Sequence, residues 1–128
     1  MSEPDDDEAL RSLRASEELY SRVFFANPVA MAITDGITQR FSAANEAFLQ
    51  LCGYWRADVI GRTSEELDLW PQREVRDDVA AELRDGGASG PHDGFMRTKP
   101  GELVACRVHF RLVVTSAAPF VLSTFIPT

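Results

Sequence analysis

The sequence predicts an α+β fold in which one antiparallel β-sheet carries helices on one of its faces. Three observations support this prediction. Segments with strand-like alternation lie early and late in the chain, and segments with helical spacing lie between them. Residues 104–114 place an apolar side chain at every second position, as in a half-buried strand. Two short helical segments ended by glycine cannot bury their apolar faces alone, so they must pack on a larger surface.

Length and composition fit a single domain that does not bind nucleic acid. The chain has 128 residues, of which 45% are hydrophobic. Its net charge of −7 owes much to five acidic residues within positions 3–8. Without these five, 15 acidic residues stand against 13 basic ones, so the chain lacks the clustered surplus of Lys and Arg that phosphate binding requires.

The sequence also lacks the usual features of membrane and secreted proteins. No apolar run approaches the ~20 residues that span a bilayer, and the acidic N-terminus has no apolar signal segment. The two cysteines, Cys52 and Cys106, lie in apolar patterns and suggest no disulfide framework. We therefore expect a cytoplasmic protein with no membrane partner, in which both cysteines are buried packing residues.

The N-terminal region is expected to form an acidic lead-in and a flanking helix. Residues 1–15 comprise the lead-in and the start of the helix, with residues 1–7 disordered or merely acidic, and residues 16–128 form the domain. Helical spacing runs from Glu8 to about Phe25. The apolar stripe of this helix suits either a homodimer seam or an amphipathic helix folded back on its own core.

The first half of the domain reads as two strands followed by a capped helix. The strands are predicted over residues 30–34 and 38–43, with a turn at Asp35-Gly36 between them. Asn45 is suited to accept a hydrogen bond from a free backbone N–H at a helix start. Gly53 then ends this helix, because glycine adopts the left-handed conformation at little cost.

The second half contains a longer helix and three more strands. Val75, Val79 and Leu83 recur every four residues and give one apolar helical face. The tight turn expected at Pro100-Gly101 separates two of the strands. The remaining segments are predicted as a short helix over residues 56–60 and strands over residues 94–99, 102–114 and 120–126.

The segment from Asn45 to Gly61 carries a family resemblance. It combines an Asn that opens a helix, an aromatic residue, a Gly-Tyr pair and a second helix that ends in Ile-Gly. In this pattern the chain resembles the PAS domain family, over about residues 16–128. The resemblance implies a five-stranded antiparallel sheet, a helical cluster over a small central cavity and an N-terminal flanking helix. The chain departs from the family pattern at two places. In the third hairpin it has Pro100-Gly101 where many relatives have Asp-Gly, and its last four residues are Phe-Ile-Pro-Thr where many relatives end in Asp-Ile-Thr.

The resemblance also bears on cofactors, and none is predicted. Relatives that form a flavin adduct carry a reactive Cys after the second short helix, where this chain has Ser64, so photoactive flavin is not expected. Haem-binding relatives generally take a His from the longer helix, and residues 71–86 contain none. His92 and His109 are expected to be surface or dimer residues, so no metal site is predicted. Flavin bound without covalent chemistry and a small organic ligand both remain open.

The predicted function is that of a non-enzymatic sensory module, because the chain shows no catalytic motif. Such a module senses a small ligand or mediates dimerisation, and relays to an effector outside this chain, for example a histidine kinase of a two-component system or a cyclase. The alternative is a homodimerisation or partner-docking module with a packed core and no ligand. A small cavity enzyme would need a buried acid or base, which the predicted inner faces almost lack.

Two sets of candidate residues follow from these patterns. The cavity wall should come from apolar positions on facing elements, with Arg97 as the polar anchor. Its candidates are Met31, Ile33, Phe48, Leu51, Trp70, Val75, Val79, Phe95, Arg97, Cys106, Val108 and Phe110. The homodimer surface should combine the flanking helix with the outer side of the long strand. Its candidates are Leu10, Leu13, Tyr20, Phe24, Leu103, Arg107 and His109.

Overall fold

The computed structural model describes the backbone of residues 4–71 and 74–128 and the side chains of residues 6–71 and 77–128. The helices assigned in these ranges are α1 (Pro4–Ala26), α2 (Glu46–Cys52), α3 (Arg56–Val59) and α4 (Glu74–Gly86). The strands are β1 (Ala30–Asp35), β2 (Phe41–Ala44), β3 (Ala88–Arg97), β4 (Leu103–Val114) and β5 (Pro119–Pro127).

The strands form one five-stranded antiparallel sheet in the order β2-β1-β5-β4-β3. The last strand of the chain, β5, therefore lies at the centre, between β1 and β4. Helices α2 and α3 contact β1 and β2, and α4 contacts β3 and β4. This arrangement confirms the predicted α+β fold, with helices on one face of the sheet and a flanking helix at the N-terminus.

The loop between β1 and β2 is longer than the two-residue turn that was expected. The Asp35 carboxylate accepts hydrogen bonds from the backbone N–H groups of Ile37 and Thr38, at 2.7 and 2.8 Å. Gln39 follows in the left-handed region, with φ 64°. Because these residues are held in a side-chain-stabilised turn, β2 begins at Phe41 and not at residue 38.

Strand β3 begins six residues before its predicted start, at Ala88 instead of residue 94. The added part pairs with the far end of β4, for example Ala88 with Arg111. Its register shifts between Ser89 and His92, as at a β-bulge. The early start places His92 on a strand and not in the loop that the sequence suggested.

The side-chain alternation of β4 follows the prediction. Cys106 and Val108 are buried on the inner face of the sheet, which faces the helices, while Arg107 and His109 are exposed on the outer face. Val114 is the exception among the apolar positions, since it is 73% exposed at the end of the strand.

On β1 the predicted phase is wrong by one residue. Ala30 and Ala32 are buried on the inner face, so Met31 and Ile33 point to the outer face and are only half-buried. The four apolar residues follow one another without a polar residue between them, which is why the pattern alone did not show which pair points inward.

Helix α1 begins at Pro4, so residues 4–7 are helical and not a disordered lead-in. Proline is favoured at a first helical position, and acids near the N-terminus complement the helix dipole. Leu10, Leu13 and Tyr20 are 51%, 55% and 71% exposed, and the helix contacts the rest of the domain mainly at α2. The apolar stripe is therefore not folded back on the domain core.

None of the helices in the described ranges is long and apolar enough to cross a membrane.

The two cysteines lie in the core as predicted. Cys52 is 0% and Cys106 is 1% exposed, and both are free thiols. Burial raises the pKa of each thiol above its ordinary value, because desolvation disfavours the thiolate.

The fully buried side chain of Asn45 joins three segments of the chain. Its Oδ1 accepts a hydrogen bond at 3.0 Å from the N–H of Phe48, which caps α2, and another at 2.9 Å from the N–H of Met31, the second residue of β1. Its Nδ2 group lies 2.8 to 3.4 Å from the backbone carbonyl oxygens of Phe24, Asn27 and Val29, so one of its two hydrogens is shared between two acceptors. The predicted helix cap is thus also the link between α1, β1 and α2.

Replacing Asn45 tests this link. We expect Asn45→Ala to lower the free energy of unfolding by about 3 kcal/mol or more, since each buried polar group that loses its partner costs about 1–3 kcal/mol. Asn45→Asp should destabilise nearly as much, because it keeps the acceptor but turns a carboxylate oxygen towards three carbonyl oxygens. Urea unfolding followed by circular dichroism measures both, with the exposed Gln50→Ala as the control. A stable Asn45→Asp variant would reduce Asn45 to an ordinary helix cap, for which Asp is as good as Asn.

The buried thiols give a second prediction. In the native protein at pH 8, Cys52 and Cys106 should react with a chromogenic disulfide reagent at least about tenfold more slowly than in the urea-unfolded chain, because the thiolate is the reactive species and burial disfavours it. Equal rates in the two states would contradict the buried positions of the cysteines. The time course of absorbance provides the measurement.

Candidate ligand cavity

A cavity of about 370 Å³ lies between α4 and the inner face of the sheet. All five strands, α4 and the segment before α4 contribute to its wall. The residues that form most of this wall are Thr34, Phe41, Trp70, Val79, Leu83, His92, Val108, Phe110, Leu112, Val121, Ser123 and Phe125. Exposed residues on the wall, among them Gln39 and Arg84, mark the side on which it opens to solvent.

Aromatic rings make one side of the cavity flat and apolar. The Trp70 and Phe125 rings are stacked, with centroids 5.7 Å apart and planes at 14°. Behind them, the fully buried Phe48 packs against Phe125 at 5.0 Å and Phe41 at 5.8 Å. Because Phe48 has packing partners on both sides, this wall belongs to the domain core and is held firmly in place.

The floor of the cavity is formed by small side chains in the middle of the sheet. Ser123 on β5 lies between Ala32 on β1 and Phe110 on β4. The Ser123 residue is only 4% exposed, and its hydroxyl makes no hydrogen bond with any described residue. The hydroxyl is not sealed in the protein interior either, since the described part of the chain holds no inaccessible polar side-chain atom without a partner. It therefore faces the cavity, where a bound molecule can reach it.

A hydrogen-bonded chain of three side chains adjoins the cavity near α4. The buried Ser89 hydroxyl donates to the Glu82 carboxylate at 3.0 Å, and its oxygen lies 2.7 Å from His92 Nε2. A hydroxyl has only one hydrogen, so the His92 Nε2 must carry the proton of the second bond. This fixes the tautomer of a neutral His92, whose Nδ1 is then an acceptor without a partner among the described residues.

Two residues that line the cavity, Asp35 and Asp93, have carboxylates engaged in other interactions. Hydrogen bonds from the backbone of Thr38 and Ile37 hold the pKa of Asp35 below its usual value. The Arg107 guanidinium, bonded to Asp93 at 2.8 and 3.2 Å, lowers the pKa of that carboxyl in the same direction. Both carboxylates thus already have hydrogen-bond donors, and that of Asp93 lies with Arg107 on the outer face of the sheet.

The structure places four of the predicted lining residues on the cavity wall, Trp70, Val79, Val108 and Phe110. Phe48 and Cys106 are fully buried, and Leu51 packs against the same core cluster, so none of the three reaches the cavity surface. Met31 and Ile33 lie on the outer face for the reason given above. The side chain of Val75 lies outside the described residues.

Phe95 and Arg97 lie away from the cavity. Phe95 is 45% exposed, because its neighbour Met96 takes the inward position on β3 and is fully buried. The Arg97 guanidinium hydrogen-bonds to the Asp68 carboxylate, and the Arg97 N–H donates to the Leu69 carbonyl. Arg97 therefore ties β3 to the segment after α3 and does not serve as the polar anchor.

Among the polar residues of the wall, the sequence reasoning missed Ser123 and His92 as lining candidates. Ser123 was detectable, since it is the small polar residue at an inward position of a strand that is otherwise apolar. His92 was not, because Gly90-Pro91 just before it is typical of a loop.

The predicted dimer residues are accessible. Leu10, Leu13 and Tyr20 are exposed on α1, and Leu103, Arg107 and His109 are exposed on the outer face of β4. Phe24 is the exception, since it is half-buried and its ring meets Phe25 edge-on at 5.1 Å.

The wall does not fit a covalent flavin adduct. Ser64 lies on the wall at the position where adduct-forming relatives have a cysteine, and a hydroxyl replaces the sulfur nucleophile. Neither Cys52 nor Cys106 is on the wall, and both have a raised pKa. Within the described ranges, no group of three His, Cys, Asp or Glu side chains is placed to hold a metal ion.

Comparison with solved structures shows the fold. A PAS domain of a LuxR-family transcriptional regulator from Burkholderia thailandensis, solved in complex with ethanol, is 22% identical with a TM-score of 0.70, and the match covers 84% of this chain and 96% of that one. A PAS domain from a two-component sensor histidine kinase is 10% identical with a TM-score of 0.75, covering 90% and 98% of the two chains.

An RNA-binding light-oxygen-voltage receptor is also similar, at 20% identity and a TM-score of 0.76 over 87% of this chain. The present chain spans only 33% of that receptor's length. Because light-oxygen-voltage proteins are among the similar structures, the comparisons lend no support to the expectation that flavin is absent, and they show no cofactor.

Sequence comparison identifies the family. No curated protein matches the chain significantly. A family model described as the PAS domain matches residues 18–85, which is more than half of the chain. The matched range includes the Asn45 cap, the two short helices and most of α4, the same elements that carry the sequence resemblance. PAS domains are generally non-catalytic sensory modules, and this chain belongs to the PAS domain family.

Proposed function

We propose that the chain is a sensory input module that binds a small organic ligand in the cavity over its sheet and relays this event to an effector. The observation that carries the proposal is an apolar cavity of about 370 Å³ with an unpartnered hydroxyl, that of Ser123, on its floor. Pockets that bind small molecules have volumes of about 300–1,000 Å³, mostly apolar walls and a few placed polar groups.

The surroundings of the cavity favour a ligand-binding site over a simple packing defect. The Trp70, Phe48 and Phe125 rings are packed together, so the wall does not depend on filling the cavity. Water beside such a wall finds few hydrogen-bond partners, and a ligand that displaces it gains roughly 25 cal/mol for each Å² of apolar surface buried.

The effector is proposed by analogy with the neighbours. One similar PAS domain belongs to a transcriptional regulator and another to a sensor histidine kinase. We infer a similar arrangement for this chain, in which the output activity lies outside the domain.

A cavity-filling variant tests the proposal. A library of uncharged small organic compounds should contain members that raise the melting temperature of the wild-type protein, because a ligand at 100 times its Kd stabilises the folded state by about 2.7 kcal/mol. We expect Ser123→Leu, which adds volume on the floor, to weaken binding of these compounds at least about tenfold. Thr124→Leu, one residue along β5 on the outer face, is the matched control and should bind them as the wild type does.

Native mass spectrometry and an absorption spectrum of the freshly purified protein complete this test. An additional mass, or a visible band from a bound chromophore such as flavin, would support ligand binding. If the protein carries no extra mass and no compound stabilises it, the sensory proposal fails and the module with a packed core and no ligand replaces it.

A homodimer is the second candidate function, favoured by the exposure of α1. The stripe of Leu10, Leu13 and Tyr20 is covered by no described residue. The same helix carries acidic residues near its start, while Arg107, His109 and Arg111 lie on the exposed outer face of β4. Apolar and opposite-charge surfaces of one chain thus suit a self-complementary contact, which must bury about 1,000 Å² to be stable.

Sedimentation equilibrium tests the dimer. Leu13→Glu should weaken self-association about tenfold or more, because it places a charge at the apolar seam. Ser12→Glu adds the same charge to the neighbouring exposed position and should have a smaller effect. A wild-type protein that sediments as a monomer at high micromolar concentration would contradict the dimer, as would equal effects of the two substitutions.

A further inference from the structure

The polar groups on the cavity wall define a more specific ligand than the cavity volume does. Ser123 is only 4% exposed, and its hydroxyl faces the cavity without a partner among the described residues. Because no described residue bonds to it, this hydroxyl depends on cavity water in the unliganded protein. A ligand that displaces this water must replace its hydrogen bond to Ser123.

His92 supplies the second polar point. Its Nε2–H is donated to Ser89, whose own proton goes to Glu82, so a neutral His92 offers only the lone pair of Nδ1. A ligand group that meets this nitrogen must carry an N–H or O–H. The Ser123 hydroxyl makes no such demand, since it can donate or accept.

The spacing of the two groups follows from the sheet. His92 on β3 pairs with Val108 on β4, and Ser123 on β5 pairs with Phe110, two residues further along β4. Two strand spacings, about 10 Å, separate β3 from β5, and the offset of two residues along the strands adds about 7 Å in that direction, so the two Cα atoms lie about 12 Å apart. Both side chains line the same cavity and shorten the gap between their polar atoms. The gap that is left suits a ligand of one or two fused rings and is too long for a single water molecule to bridge.

The aromatic wall and the charges set the other properties. The stacked pair of Trp70 and Phe125 presents a flat apolar surface that suits a planar ring. An anionic ligand finds little compensation, because Asp35 on the wall is negative and Arg84 is exposed at the opening. A cation would lack a free carboxylate on the wall, since that of Asp35 already has donors and that of Asp93 pairs with Arg107 on the outer face of the sheet.

We infer that the cavity takes an uncharged, planar ring compound bearing a hydroxyl or N–H group, held by hydrogen bonds to Ser123 and His92. This inference rests on the proposed function, because it names the ligand class of the same cavity.

Three probes with one ring system separate the alternatives, measured by calorimetry or ligand-observed NMR on the full chain at pH 7.5. 2-Naphthol carries the hydroxyl, naphthalene lacks it and 2-naphthoate replaces it with a negative charge. We expect 2-naphthol to bind about threefold to tenfold more tightly than naphthalene, the ratio that one net hydrogen bond gives. The affinity of 2-naphthoate should be the lowest of the three, because its charge must be desolvated.

Matched variants locate the hydrogen bonds. Ser123→Ala and His92→Phe should each remove most of the advantage of 2-naphthol and leave naphthalene binding nearly unchanged. Thr124→Ala and His109→Phe make the same substitutions on the outer face and should change neither affinity. His92→Phe keeps the bond from Ser89 to Glu82, so it does not disrupt the end of α4.

The outcomes distinguish this inference from the proposed function. Equal binding of naphthalene and 2-naphthol, or tighter binding of 2-naphthoate, overturns the ligand class while the cavity remains a binding site. Failure of all three probes to bind also overturns it, and the proposed function then depends on the compound library described above.

Discussion

The arrangement of the domain depends on one buried amide. Asn45 accepts hydrogen bonds from the first residues of β1 and α2, and donates to the carbonyls at the end of α1 and in the link that follows. Met31 and Phe24 lie 14 and 21 residues before Asn45 in the chain, and no other side chain in the described ranges hydrogen-bonds to all of these segments. An amide suits this place because it offers donors and an acceptor on one rigid plane. The aromatic core forms directly behind it, with Phe48 one turn into α2.

The cavity has a simple origin in the sizes of the residues on the inner face of the sheet. Ala32 on β1 and Ser123 on the central strand β5 are paired neighbours with small side chains, so the middle of the inner face leaves space beneath α4. Phe41, Phe125 and Trp70 fill one side, and Val79 and Leu83 of α4 cover part of the top. Larger residues at the two central positions would produce a filled core. The polar atoms that remain on the wall are few, which is the usual composition of a site that selects its ligand.

Local signals made most of the fold predictable. Asn45 and Gly53 mark α2 by capping and by the left-handed conformation, with φ 79° at Gly53, and these depend on a few neighbouring residues. The alternation of β4 was equally clear. One error arose in the apolar run at Met31, where no alternating polar residue showed which side chains point inward. The other arose where tertiary pairing extended β3 through Gly90-Pro91, a sequence typical of a loop. The second error moved His92 from a loop to the cavity wall, so the candidate site was predicted less well than the fold.

The attachment of α1 at a single end has a mechanical consequence. Its 23 residues extend about 34 Å at 1.5 Å per residue, and the contacts that hold it lie near Phe24 and Phe25, where the Arg56 guanidinium sits over the Phe25 ring. A tilt of about 5° at this pivot therefore displaces the far end by roughly 3 Å, given that length. Any rearrangement beside Asn45 that tilts the helix would therefore be amplified at Pro4.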